Sequence, residues 1–238
     1  MLKFQPIYNL VGIFGMKEDL THRDSEPLNL SVVDTFVFDY GGVVSFHYCE
    51  PWQGNLSRLL NVTPDVARRL LSESGELGRA YRMGDMSRDE FWNLVIEQSG
   101  AHDVDPSELE YNWAMSYQID PRMIELINRL RNERGAQVGL LSNSDEYRQN
   151  HNERMYGLSG IFDFMISSHT HRVVKPEREA YMKMLEVANR LNKPRSVVYI
   201  DDRERNVSPG EAVGIQGYVF TNYEEFRELL RKSGILGI

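Results

Sequence analysis

Five short apolar runs, each closed by a turn signal, constrain this chain more than any other feature. They are residues 35–39 (TFVFD), 138–142 (VGLLS), 164–167 (FMIS), 197–201 (VVYID) and 218–220 (YVF). Runs this short and this rich in Val, Ile, Phe and Tyr read as buried strands. None alternates polar with apolar, which points to a parallel sheet covered on both faces. After residue 120 the runs alternate with helical patterns. Asp120-Pro121 offers an N-cap and a first-turn proline, Ile124, Ile127 and Leu130 follow at helical spacing, and Gly135 can end the segment. Further helices are expected over residues 176–191, with Tyr181, Met184, Leu185 and Ala188 on one face, and over 206–213 and 223–230. This order predicts an α/β fold, a doubly wound parallel sheet.

The stretch between the first two runs breaks the rhythm. Residues 48–118 hold no strand run, but they do hold helix starts at Thr63-Pro64 and at Ser87-x-x-Glu90, a capping-box pattern followed by Phe91, Leu94 and Val95. A block of that length exceeds a usual βαβ crossover. It reads as an inserted helical cap over 48–117, leaving a core of 34–47 and 118–238 and an N-terminal extension of 1–33. Within that extension, residues 1–16 are fairly apolar, but Gln5, Pro6 and Asn9 interrupt them and no small-residue cleavage site follows. They read as an extension packing on the core, not as a secretory signal. Residues 17–27 are charged and read as a linker.

Open α/β sheets bind ligands beyond the carboxyl ends of their strands, so the residues closing each run are the ones to inspect. They are Asp39-Tyr40-Gly41-Gly42-Val43, Ser142-Asn143, the loop reaching Lys175-Pro176, and Asp201-Asp202. One carboxylate able to attack, one hydroxyl, one ammonium and a carboxylate pair form a set suited to a phosphoryl group and a divalent cation. An aspartate can form an aspartyl phosphate and split hydrolysis into two steps. The paired acids call for a cation, and Mg²⁺ takes a few carboxylate oxygens, water and substrate phosphate. A hydroxyl, backbone N–H groups and Lys then stabilise the phosphoryl oxygens. Gly41 and Gly42 let the backbone come close to the ligand.

In order and spacing these four motifs resemble the haloacid dehalogenase-like (HAD) superfamily, over about residues 34–220. The closest likeness is to its branch with a small helical cap, which includes phosphatases of sugar phosphates such as glucose 1-phosphate. RAYRMGDMSRDEFW (79–92) is similar to that branch's cap, and LLSNSDE (140–146), KPEREAY (175–181) and YIDDRERNVSPGEAVG (199–214) resemble its core motifs. The resemblance implies Asp39 as nucleophile and metal ligand, with Gly41 offering its carbonyl to the metal. It implies Ser142, Asn143 and Lys175 on the phosphoryl group, and Asp202 on Mg²⁺ with Asp201 and Asn206 in support. Tyr40, Gly41 and Gly42 complete the expected substrate-binding loop.

One departure matters. The family's first motif is D-x-D-x-[TV], and here Gly41 replaces the second Asp, the usual general acid–base, while Val43 fits the last position. Such a group typically contributes about 10²–10⁴ in rate. Three readings follow: a Mg²⁺-dependent phosphatase of the sub-branch with Gly there, a metal-independent 2-haloacid dehalogenase, or a weakened binding or regulatory protein. The Asp201-Asp202 pair favours metal and so the first. Arg172 also departs, standing where Gly is common, either near the active site or on the surface.

The formal charge of −8 argues against a nucleic-acid partner without excluding a small phosphorylated metabolite. One cysteine, Cys49, allows no internal disulfide and fits a reducing cytoplasm. No run is long and apolar enough for a membrane span; a monomer or homodimer is expected. Blander readings attach elsewhere. His169 and His171 read as loop histidines, His47 as a cap-hinge residue or a group near the leaving group, and Trp52, Trp92 and Trp113 as cap core. Arg68-Arg69 and the arginines at 129–134 read as solvated helix faces.

Overall fold

The computed structural model describes residues 28–46, 52–73, 75–192 and 196–237. His47 and Cys49, the side chain of Trp52, and residues 1–27 of the expected extension lie outside them. In chain order, the first part runs β1 (Thr35–Phe38), β2 (Ser45–Phe46), α1 (Trp52–Leu59), α2 (Pro64–Leu71), α3 (Glu76–Met83), α4 (Arg88–Ser99), α5 (Pro106–Met115) and β3 (Gln118–Ile119). Next come α6 (Pro121–Asn132), β4 (Gln137–Ser142), α7 (Glu146–Tyr156), α8 (Leu158–Ile161), β5 (Phe164–Ser167) and α9 (Ser168–His171). The chain closes with α10 (Arg178–Asn192), β6 (Val197–Asp201), α11 (Glu204–Glu211), β7 (Gln216–Val219) and α12 (Tyr223–Lys232).

The five long runs form one sheet in the order β5-β4-β1-β6-β7, and every neighbouring pair in it is parallel. β1 sits at its centre, with Phe38 beside Leu140 on one side and Ile200 on the other. Successive side chains of a strand point to opposite faces. Phe36 and Phe38 accordingly pack with Ile127 and Leu130 of α6 and with Phe226 and Leu230 of α12. Val37 packs on the other face with Tyr181, Met184 and Ala188 of α10. Both faces are buried, which is why the runs carry no polar alternation. Leu30 and Val33 join the first cluster, so this end of the expected 1–33 extension is part of the core.

Helices α1 to α5 occupy the interval between β2 and β3 and bury a cluster of their own around Leu71, Phe91, Trp92 and Trp113. Thr63 and Ser87 cap α2 and α4 as their sequences indicate, Ser87 with Glu90 in a full capping box. β2 and β3 pair antiparallel where the insertion leaves and rejoins the sheet. At two residues each they are too short for any periodicity to reveal. Other boundaries shift. The last strand covers Gln216–Val219 rather than 218–220, and α11 starts at Glu204. α7 has almost no one-sided apolar pattern; its Asp145 N-cap and Gly157 end define it instead. Among the described residues no helix is long and apolar enough to cross a membrane.

Candidate active site

Strand pairing brings the acids together. The Asp39 amide donates to the Ile200 carbonyl at 2.8 Å, extending the β1–β6 ladder one residue past β1. Asp39 therefore stands beside the end of β6, where Asp201 and Asp202 follow. Oxygens of these three carboxylates all lie within 4.8 Å of one another. The buried Lys175 ammonium reaches between them, 2.7 Å from Asp39 Oδ1 and 2.9 Å from Asp201 Oδ2. Its loop, which carries a cis Lys175-Pro176 bond, is held by Asn143. Asn143 Oδ1 accepts from the Lys175 amide and its Nδ2 donates to the Lys175 carbonyl, both at 2.9 Å.

The three acids are not equivalent. Asp201 is fully buried and saturated with donors. Oδ1 accepts from the Arg203 amide and Asn206 Nδ2; Oδ2 accepts from Lys175, the Tyr199 hydroxyl and Asn206 Nδ2. Burial alone would raise its pKa, but Lys175, Tyr199 and Asn206 reverse that and hold it below the usual carboxylate range. Asp39 goes the other way. Burial pushes its carboxyl up to about 7, Lys175 opposing and Asp201 adding to the rise. Asp202 is raised too, by burial first and by Asp201 against Arg203. Lys175 is raised because Asp39 and Asp201 outweigh the effect of its burial. One oxygen of Asp39 accepts from Lys175 and the Tyr40 amide; among the described residues the other accepts nothing.

The glycines fit this arrangement closely. Gly42 has φ +90°, and a Cβ there would lie 2.5 Å from Asp202 Oδ2. A Cβ on Gly41 would meet Tyr117 Cε1 at 3.3 Å, so an aromatic edge fills the space that a side chain at this position would enter.

A cleft of about 570 Å³ opens over these residues, bordered by Asp39, Tyr40, Gly41, Gly42, Ser142, Asn143, Lys175, Asp202 and Asn206. Asp201 lies beneath it. The Tyr40 ring runs into the core, leaving its main chain as the part able to face a ligand. The far wall comes from the helical insertion and from α7. Arg68 and Arg69 of α2 are exposed, as expected of a solvated helix face, and they also border the cleft. Glu73, Arg82, Tyr117, Arg148, Arg203 and Arg205 border it as well. Of these, only Arg203 and Arg205 had a visible signal, their place directly after the Asp pair.

Several cations clasp the insertion to the core. Glu73 accepts from Arg203, from Arg205 at 2.8 Å and from Asn143 at 2.9 Å. Arg172 pairs with Asp85 and donates to the Gly84 carbonyl; its own φ of +54° explains why glycine suits this position. It lies neither in the cleft nor free on the surface. Arg129 and Arg131 pair with Glu133 and Asp163, while Arg134 donates to the carbonyls of Leu30, Ser31 and Val33, so these are not merely solvated. His169 and His171 fall in α9, not a loop; His171 Nδ1 engages Ser167. Trp92 and Trp113 are buried in the insertion's cluster, as expected.

Comparison with known proteins fixes the class. A family model described as haloacid dehalogenase-like hydrolase matches residues 33–214, and the chain belongs to that family. A hydrolase of Schizosaccharomyces pombe is 30% identical over 107 residues, 43% of this chain. The chain spans 46% of that relative's length. A HAD family enzyme from Bacteroides thetaiotaomicron, crystallised with magnesium and inorganic phosphate, superposes with a TM-score of 0.67 at 20% identity, covering 84% of this chain and 100% of that one. A HAD-like hydrolase from Porphyromonas gingivalis gives 0.69 at 23% identity, covering 84% and 98%. The L-2-haloacid dehalogenase of Xanthobacter autotrophicus gives 0.54 at 17%, covering 86% and 85%.

Proposed function

We propose that this hydrolase cleaves a small phosphomonoester through an aspartyl phosphate on Asp39, with Mg²⁺ held by Asp39, Asp202 and the Gly41 carbonyl. One observation carries the reading: a buried carboxylate with one oxygen on Lys175 and the other accepting nothing among the described residues, in a group of three acids whose oxygens lie within 4.8 Å of one another. The donor set fits the ion. Asp39 and Asp202 are both raised by burial and by neighbouring acids, so a bound cation would favour their charged forms. Gly42 leaves no room between the loop and Asp202 for even a methyl group. Asp201, saturated by five hydrogen bonds, acts by fixing Lys175 and Asn206 rather than as a direct ligand. Mg²⁺ bound to such oxygens would offset the negative charge that the incoming phosphate meets. The Bacteroides thetaiotaomicron relative, with magnesium and phosphate bound, supports the choice of ion and substrate group.

The chain's own residues do the rest. Ser142, the main chain at Asn143 and Lys175 hold the phosphoryl oxygens, the Asn143 side chain being taken up by the Lys175 loop and Glu73. A carboxylate oxygen of Asp39 attacks phosphorus, the ester P–O bond breaks, and the alcohol departs with the electron pair and takes a proton from water. Water then attacks the aspartyl phosphate, returning the carboxylate and releasing phosphate. With glycine at position 41 no carboxyl assists the departure, so leaving groups needing little protonation are favoured. The helical insertion acts as a cap, clasped through Glu73, Arg172 and the Arg79–Glu177 pair, and excludes water when closed.

The test is phosphate release from p-nitrophenyl phosphate. Release with Mg²⁺, abolished by EDTA and by Asp39→Asn, is expected. Halide release from a 2-haloacid without metal would establish the dehalogenase reading instead. Mg²⁺ binding with no turnover of a phosphometabolite panel would leave a binding or regulatory protein.

A further inference from the structure

The cleft holds far more positive charge than one phosphoryl group requires. Six arginines border it: Arg68, Arg69, Arg82, Arg148, Arg203 and Arg205. Asp65 pairs with Arg68, Asp145 with Arg148, and Glu73 alone with both Arg203 and Arg205, which leaves the arginines in excess. This concentration sits in a chain of net charge −8. A chain with acids in excess that places six arginines around one cleft is suited to receive an anion there.

Two of these arginines form an unusual pair. The guanidinium carbons of Arg148 and Arg82 lie 4.4 and 4.9 Å from the centroid of the same indole ring, that of Trp113. Both residues are more than nine-tenths buried, at 8% and 4% exposure. Arg82 spends one nitrogen on the carbonyls of Leu71 and Gly78, at 2.9 and 2.8 Å. Arg148 donates Nε to Asp145 Oδ2 at 2.5 Å, while its Nη2, also buried, has no acceptor among the described residues. Two neighbouring buried cations with one bonded carboxylate are short of one negative charge. Burial, and then Arg148, pull the Arg82 guanidinium down to about 10, with Glu73 and Asp145 opposing the fall only in part.

The position is right for the part of a substrate beyond its phosphorus. The Tyr117 ring links the two regions, its edge beside Gly41 and its centroid 5.7 Å from the Arg148 guanidinium. At the cleft mouth Glu73 shows what the remaining donors prefer, since Arg203, Arg205 and Asn143 converge on its carboxylate. Exposed Arg69 has no ion-pair partner among the described residues and borders the same opening.

We propose that the leaving group carries a second acid, a carboxylate or a phosphate, and that Arg82 and Arg148 bind it, with Arg69 and Arg205 drawing it in. The proposal rests on the phosphatase reading above and narrows it from small phosphomonoesters to doubly anionic ones. Charge-assisted hydrogen bonds from two such groups are expected to give about 10–100-fold selectivity.

Turnover and binding test it separately. With Mg²⁺ and the full chain, kcat/KM should be at least tenfold higher for fructose 1,6-bisphosphate or phosphoglycolate than for glycerol 3-phosphate, whose leaving group is an alkoxide like theirs; the preferred member of the first pair tells phosphate from carboxylate. Arg148→Gln should collapse this ratio. Should that variant unfold, exposed Arg69→Ala and Arg205→Ala should each lower the ratio about threefold to tenfold, with wild-type circular dichroism. In Asp39→Asn, calorimetry should give at least tenfold tighter binding of fructose 1,6-bisphosphate than of fructose 6-phosphate, and Arg69→Ala on that background should narrow the gap. Equal turnover of acidic and uncharged esters, or ratios untouched by every Arg variant, overturns the proposal. Loss of all turnover with the binding gap intact would sink the phosphatase reading and leave the anion site standing.

Discussion

Replacing Gly42 with alanine tests the packing between the loop after β1 and Asp202. The new Cβ would sit 2.5 Å from Asp202 Oδ2 and 2.7 Å from its Cγ, at φ +90°. The backbone term alone is about 1–2 kcal/mol for an L-residue in left-handed space. Contact at 2.5 Å cannot persist, so the Asp202 side chain must swing away from Asp39. Gly100 supplies the control, because it has φ +70° and a Cβ there meets nothing within 4 Å. Gly100→Ala should show the backbone cost by itself, a fall in Tm of about 2–8 °C for a chain this size. Gly42→Ala should lose at least as much. It should also need about 10–100-fold more Mg²⁺ to reach half-maximal thermal stabilisation, the scale on which displaced groups weaken metal sites. Differential scanning fluorimetry across a Mg²⁺ titration reads both quantities. If Gly42→Ala matches Gly100→Ala in its Mg²⁺ midpoint, Asp202 is not a ligand and the proposed ion site is wrong.

Lys175→Met would leave Asp39 and Asp201 facing each other in a buried site without their ammonium, at a cost of about 3–5 kcal/mol near neutral pH. Asp39, already raised, would rise further and Asp201 would lose the partner that holds it down, so the deficit should shrink as pH falls; a deficit flat with pH in chemical denaturation would refute this. Asp145 is held below the usual carboxylate range, burial opposing and Arg148 prevailing, so its stabilising effect is complete above about pH 4 and fades as pH falls through its folded value. Asp145→Asn should therefore flatten acid unfolding below pH ~4, and an unchanged acid limb would count against the pair. Gly41→Asp should not accelerate turnover, since its Cβ already crowds Tyr117 at 3.3 Å. Combined with Tyr117→Ala it should raise kcat for substrates with poor leaving groups by up to about 10²–10⁴, and a faster single variant would contradict the steric argument.

How much could be read from the chain follows the range of the interactions. The strands of the sheet were visible because burial on both faces removes polar alternation over several residues, and the acids and lysine closing them were visible because a parallel sheet exposes its carboxyl edge. The α/β class and the haloacid dehalogenase-like family followed from those same residues. The cleft's far wall was not legible. Arg68 and Arg69 look like any exposed helix face until α2 is seen to border the same cleft as the loop after β1. Arg148 lies on α7, which lacks an apolar stripe, and Glu73 follows α2 in a stretch without periodicity. Their meaning depends on contacts such as Glu73 with Arg205, 132 positions away in sequence. The two-residue strands β2 and β3 are defined only by each other.

Gly41 shows why spacing alone could not apportion the site's chemistry. In sequence, a glycine in place of an expected aspartate reads as a deletion of function. In the structure the edge of Tyr117 crowds that space, 3.3 Å from where a Cβ on Gly41 would lie, at the point where the helical insertion rejoins β3. That ring also lies beside Arg148, so the residue filling the place of a proton donor belongs to the wall rich in arginine. One exchange thus has two consequences. It removes a carboxylate that would compete with a substrate anion for the guanidinium, and it removes the acid that would protonate a leaving oxygen. On the proposed phosphatase reading, a cleft altered in both ways suits a leaving group that arrives charged and departs with little protonation. The glycine and the arginines therefore constrain the substrate together, and neither constraint is apparent from the four motifs alone.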